Sequence, residues 1–313
     1  MRDNLRRLLL AMSQPGTFYV LGAGASAGLA PFTAGTLAFV RQRYVDMGVY
    51  SATDSRLSPL LDRVVLEPMY NAWRRGEWHP DDVLVEKIPV STLELLAQKA
   101  WSPRLHGTAS AQYSVLQKVA GPAVFFTFNL DGLARWYLRH EHFVFEPHGT
   151  VDRLWTESLE FEELLECSLD VRLPSVAPKL LPGPELSQIT STRPYVEART
   201  YLRTAPAVVI LGYSFGTFRG KMDDSESFEY LLDALAKRQC PIFVVDPNAD
   251  SLASSIEERL RCRRVVPVAL RWDDFSATLL AMMGRHNSLS ALSGDRQLNA
   301  VIAAYGLRLD KRA

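Results

Sequence analysis

The chain is poor in cysteine. Its three, Cys167, Cys240 and Cys262, lie far apart among 313 residues, and none forms a Cys-x-x-Cys pair. That excludes a disulfide framework and a four-cysteine zinc site, and fits thiols kept in a reducing compartment. Long apolar runs are missing as well. Nothing approaches the roughly 18 apolar residues of a membrane span. The stretch Met1–Met12 is too short in its apolar part for a signal peptide, and its spacing suits an amphipathic helix. A cytoplasmic location is expected. An excess of one charge is also lacking: Lys+Arg and Asp+Glu balance at 35 each, so no overall field argues for a nucleic-acid partner. The basic run Arg259–Arg264 has helical spacing and reads as a solvated face.

What is present is an ordinary globular composition, 47% hydrophobic and 22% charged, at a length that one α/β domain with insertions fills. Short apolar runs at Phe18–Leu21, Ala123–Phe128, Ala207–Leu211, Pro241–Val245 and Val265–Leu270 read as buried parallel strands. Helical patterns fall between them, at Thr36–Tyr44, Val115–Val119, Gly132–Arg139, Ser227–Ala236 and Ser251–Leu260. Alternation of this kind predicts a Rossmann-like parallel sheet with helices on both faces. Two intervals break the rhythm. Residues from about 45 to 120 read as a helical insertion, and the proline-rich stretch from about 150 to 205 as a small, looser, zinc-free module.

In such a sheet a ligand sits beyond the carboxyl ends of the strands. The first strand runs into Gly22-Ala23-Gly24-Ala25-Ser26, a glycine turn of the kind that brings backbone N–H groups to a pyrophosphate. The first glycine is expected to permit a tight turn, and the second to clear space for phosphate. Ala27 completes a Gly-x-Gly-x-x-Ala pattern, and Ser26 can donate a hydroxyl. The second strand ends in Thr127-x-Asn129-x-Asp131, the next in Gly212-Tyr213-Ser214, and the one after in Asp246-Pro247-Asn248. Four strand ends thus carry small, polar or acidic groups. A simple dehydrogenase needs a ribose-binding acid about 20 residues past the glycine loop. That distance falls at Asp46, inside a helical pattern, which argues against hydride transfer.

Glycine loop, Thr127-x-Asn129-x-Asp131, His148-Gly149 and Gly212-x-Ser214, in that order and spacing over residues 15 to 280, resemble the sirtuin superfamily. The resemblance implies NAD bound between a Rossmann-type domain and a smaller module. It implies Asn129 and Asp131 in the nicotinamide-ribose pocket and His148 facing the ribose hydroxyls. Gly22, Ala23, Gly24, Ser26, Phe32, Thr127, Gly212, Ser214 and Asn248 would line the cofactor cleft, with Asp246 near the adenosine ribose. The departures are specific. Phe128 stands where sirtuin deacylases have Gln, the loop Gly28–Thr33 lacks their acid and arginine, and the zinc-binding cysteine pairs are absent. The pattern is more similar to prokaryotic sirtuin-like proteins that hydrolyse NAD, several of them in anti-phage defence.

Cleavage of the nicotinamide–ribose bond passes through an oxocarbenium-like transition state, needing little acid catalysis because nicotinamide leaves neutral. Asn129 is expected to hold water and nicotinamide in register, Asp131 to bind the carboxamide or favour the developing cation, and His148 to accept a ribose hydroxyl proton or orient the hydroxyls. NAD is then the substrate, no metal is required, and control by a homo-oligomer or an activating partner is expected, since a constantly active NADase is toxic. Other readings remain open from the residues. Asn129 and Asp131 are types that cap a helix, and one is predicted near Gly132. His148 suits a turn, Phe32 suits packing, and His140 and His142 suit a solvated surface. A non-catalytic NAD or ADP-ribose sensor is the first alternative, and a protein deacylase or ADP-ribosyltransferase the second.

Overall fold

The computed structural model describes residues 2–29, 45, 110–129, 131–147, 193–213, 217–218, 221–222, 225–236, 238–261, 264–284 and 288–310. The expected helix Thr36–Tyr44 and most of both expected insertions lie outside them, as do Phe32, His148 and Ser214.

Among the described residues six strands form one all-parallel sheet: β1 (Phe18–Leu21), β2 (Val124–Thr127), β3 (Phe143–Phe145), β4 (Val208–Leu211), β7 (Ile242–Val245) and β8 (Val265–Val268). Two short antiparallel strands, β5 (Thr217–Phe218) and β6 (Lys221–Met222), pair apart from it. The spatial order is β3-β2-β1-β4-β7-β8. This is the doubly wound Rossmann order, and it reverses direction between β1 and β4. The architecture is therefore α/β and Rossmann-like, as the alternating pattern predicts.

The central strands read as unbroken apolar runs because both of their faces are covered. On β1, Tyr19 and Leu21 enter one core while Phe18 and Val20 enter the other. The same period of two divides Val209 and Leu211 from Val208 and Ile210 on β4, and Phe243 and Val245 from Ile242 and Val244 on β7. The first core is closed by helices α1 (Arg2–Met12), α2 (Ala111–Gln117), α3 (Leu133–Leu138), α7 (Trp272–Met283) and α8 (Asp295–Asp310). The second is closed by α4 (Arg193–Thr204), α5 (Ser225–Leu235) and α6 (Ala249–Leu260). In α1, Leu5, Leu8, Leu9 and Met12 are buried at helical spacing, which bears out the amphipathic reading of the N-terminus.

Some elements differ from expectation. The helix predicted at Val115–Val119 begins four residues earlier, where Ser110 accepts the N–H of Tyr113 as its N-cap. The described ends of the two expected insertions are core elements: α2 buries Tyr113, Val115 and Leu116, and α4 buries Tyr195, Ala198 and Leu202. Strand β3 was not expected. It is an edge strand of three residues, and its Phe143 is exposed, so it offers neither length nor alternation to read. His142 is not solvated. It is 7% exposed, accepts the Ala123 N–H on Nδ1 at 3.2 Å and faces the Gln117 carbonyl with Nε2 at 3.3 Å.

Candidate functional site

The glycine loop leaves β1 at the sheet's switch point and is packed directly on the loop leaving β4. Gly22 donates its N–H to Leu211 O at 3.0 Å, and Gly24 donates to Gly212 O at 2.9 Å. A Cβ on Gly22 would lie 2.5 Å from Tyr213 Cα, and one on Gly24 would lie 2.6 Å from Gly212 Cα. Gly22 has φ −120 and ψ −171, an extended backbone open to any residue, so no tight turn demands it. Both glycines are instead required by the close approach of the β4 loop. The side of Gly24 expected to face phosphate holds the backbone of Gly212, whose own φ of +59 is left-handed. Ala25 and Ala27 donate their N–H groups within the loop, to Gly22 O and Gly24 O. Ala23, at the apex of the loop, is exposed.

Three side chains converge beside this loop. Ser26 Oγ lies 2.7 Å from the Tyr113 hydroxyl and accepts from Asn129 Nδ2 at 3.1 Å. Ser26 is 1% exposed, Tyr113 fully buried and Asn129 8% exposed. The turn after β2 explains why Asn129 reaches this point. Its own N–H is accepted by Thr127 Oγ1 at 3.2 Å, while the Phe128 N–H donates to Leu21 O at 2.9 Å and ties the end of β2 to β1. Tyr113 is held by stacking on Tyr137, with ring centroids 5.3 Å apart and 12° between the planes. Its neighbour Gln112 donates to Ala27 O at 2.8 Å and accepts from Ser110 Oγ at 2.9 Å. The N-terminus of α2 is thus clamped to the exit of the glycine loop.

Burial raises the Tyr113 hydroxyl well above its ordinary pKa, the nearby Asp131 and Glu146 carboxylates raise it further, and the interactions with Ser26 and Asn129 oppose the shift without reversing it. Tyr113 therefore stays neutral across physiological pH and acts as a hydrogen-bonding group, not as a base. Asp131 is 4% exposed and accepts the Leu133 N–H at 2.9 Å, so it caps the first turn of α3. Arg135 of α3 pairs with Glu146, just past β3, at 3.0 Å; their side chains are 16% and 4% exposed.

The structure thus brings together Gly22, Ala23, Gly24, Ser26, Thr127, Asn129, Asp131 and Gly212 across the ends of β2, β1 and β4. Asp246 stands farther along, at the end of β7. It accepts the Asn248 N–H at 2.8 Å, closing the turn into α6, and Asn248 is exposed. Among the described residues no group of three or more His, Cys, Asp or Glu could hold a metal ion. No described helix is long and apolar enough to cross a membrane.

Tyr113 and Gln112 were missed from the sequence. Their only signal is the capping residue Ser110 just ahead of an apolar helical pattern. No protein-family model matches this chain, and no curated protein matches it by sequence.

Proposed function

We propose that this chain binds NAD across the carboxyl edge of the sheet and hydrolyses the nicotinamide–ribose bond. The observation that carries the reading is the contact of Asn129 with Ser26, which joins the ends of β2 and β1 beside the β1/β4 switch point. Dinucleotides bind at that switch point in doubly wound sheets. A carboxamide fixed there suits a reaction whose main demands are placing a water and stabilising positive charge.

In the proposed reaction the bond between ribose C1′ and the pyridinium nitrogen breaks, and its electron pair leaves with nicotinamide. Water adds to C1′ and yields ADP-ribose, and its surplus proton passes to solvent. Asn129 orients the water or the ribose, and the Asp131 carboxylate lies near the developing cation. His148 is assigned the ribose hydroxyls on the resemblance alone. With the Gly22 and Gly24 amides already donated to β4, the phosphates would meet the loop at its exposed apex, Ala23. Control by a second copy or a partner, a role in defence, and a cytoplasmic location belong to the same proposal.

A binding-only sensor is the second reading. It is favoured by the Asp131 carboxylate, buried and already engaged in capping α3. The deciding experiment measures nicotinamide release and NAD binding together, for wild type, Asn129→Ala and His148→Ala. Release by wild type and its loss in both variants supports the hydrolase. Binding without release, in purified form and in lysate, supports the sensor. Neither binding nor release rejects both.

A further inference from the structure

We infer that Tyr113 is a positioning residue of this site, acting on Asn129 through the hydroxyl of Ser26. The inference rests on the hydrolase reading and adds to it a residue from a helix that the motif pattern does not include.

The geometry leaves little freedom. Asn129 Nδ2 can only donate, so Ser26 Oγ accepts from it at 3.1 Å. Ser26 also stands 2.7 Å from the Tyr113 hydroxyl, and between two hydroxyls either can supply the hydrogen. Burial raises the Tyr113 pKa, so its hydroxyl keeps its proton at neutral pH. The ring cannot swing away, because it stacks on Tyr137 and is fully buried. Ser26 thus has a fixed anchor on one side and Asn129 on the other.

The consequence concerns which end of the amide meets a ligand. A carboxamide is planar, with nitrogen and oxygen on opposite branches. Commitment of the nitrogen to Ser26 leaves the oxygen as the group's acceptor. An acceptor suits a donating partner, a ribose hydroxyl or a water, and a neighbouring positive charge. Without the Tyr113 anchor, Ser26 can rotate and Asn129 can flip, presenting an NH2 group where the reaction needs an oxygen. The defect would appear in the chemical step more than in ground-state binding.

Tyr113→Phe tests this, since it deletes the hydroxyl and keeps the stacked ring. Tyr19→Phe is the matched control: it is another fully buried tyrosine, and its hydroxyl has no hydrogen-bond partner among the described residues. Nicotinamide release is measured for wild type, both variants, Ser26→Ala and the Ser26→Ala/Tyr113→Phe double variant, at a temperature where all are folded. The expected result is a fall in kcat of about tenfold to a hundredfold for Tyr113→Phe with KM near wild type. Tyr19→Phe keeps wild-type kcat, and the double variant is no worse than Ser26→Ala. An active wild type with unchanged kcat in Tyr113→Phe overturns the inference. So does an equal loss in Tyr19→Phe, or losses that multiply in the double variant. A wild type that releases no nicotinamide rejects the hydrolase reading, and the inference falls with it.

Discussion

Gly24 and Gly212 meet backbone to backbone at the point where the sheet reverses its strand order, with the Gly24 N–H donated to Gly212 O at 2.9 Å. The contact holds the β1 and β4 loops together and fixes where Ser26 emerges. A methyl group on Gly24 would sit 2.6 Å from Gly212 Cα, and backbone cannot yield as a flexible side chain does. Gly24→Ala is expected to cost ~1–3 kcal/mol of stability through overpacking. Gly212→Ala adds left-handed strain at φ +59 and should cost ~1 kcal/mol more. Gly28→Ala separates the two causes, because its φ is +77 but a Cβ there meets nothing within 4 Å. Chemical denaturation should rank the losses Gly28→Ala, Gly24→Ala, Gly212→Ala in rising order. A Gly24→Ala variant as stable as wild type would show that the close packing carries no energy.

Tyr19 and Tyr113 are both fully buried, yet their hydroxyls are differently placed. That of Tyr113 is bonded to Ser26, and that of Tyr19 has no partner among the described residues. A buried polar group without a partner costs roughly 1–3 kcal/mol in desolvation. Tyr19→Phe should therefore leave stability unchanged or raise it by ~1 kcal/mol, since the ring keeps its stack on Phe125 at 4.6 Å. Tyr113→Phe should lower stability by ~1 kcal/mol. Thermal unfolding of the two variants reads the contrast, and a loss in Tyr19→Phe comparable to that in Tyr113→Phe would refute it.

Arg135 and Glu146 form an ion pair at 3.0 Å with the carboxylate side chain 4% exposed. Removal of Arg135 withdraws a charge-assisted hydrogen bond from a carboxylate in a poorly solvated place, at a cost of ~1.5–3 kcal/mol. Arg135→Met should approach that cost, while Arg135→Met with Glu146→Leu should regain much of it. The coupling energy from a double-mutant cycle by urea denaturation is the measurement. Additive losses would mean that the pair contributes little.

The sheet was legible because both of its faces are buried, so every strand of it but the edge strand β3 announces itself as a short apolar run bounded by a turn. The site was legible in part for a related reason: Asn129, Asp131, Ser26 and Gly212 follow those runs directly, and the strand order brings their ends together. Other features left little trace. Strand β3 is an edge of three residues with Phe143 exposed, and His142 looks like a surface residue in the polar run Arg139–His142. Tyr113 reaches the site from a helix far from the glycine loop in sequence, through a contact that no local pattern encodes. The glycines were readable as glycines, but their reason was not. Close packing of two loops produces the same letters as a phosphate cradle.

His142 gives the protein a defined sensitivity to acid. Its Nδ1 accepts the Ala123 N–H at 3.2 Å, so the neutral ring carries its proton on Nε2, toward Gln117 O at 3.3 Å. Burial lowers its pKa, with Gln117 O and Glu141 opposing the shift without reversing it. Protonation would set an Nδ1–H against the Ala123 N–H, donor against donor, at the start of β2. The sign follows from the folded pKa lying below the unfolded one. Above about pH 6.5 both states hold a neutral ring, and His142 contributes no pH dependence. As pH falls below that value the unfolded chain takes up a proton that the folded chain resists, so stability declines until the folded pKa is passed. His142→Gln removes the titration, with an amide that can still pair with backbone. Urea unfolding from pH 7.5 to 5 should show a smaller fall in stability for the variant than for wild type. Parallel curves would place the acid sensitivity elsewhere.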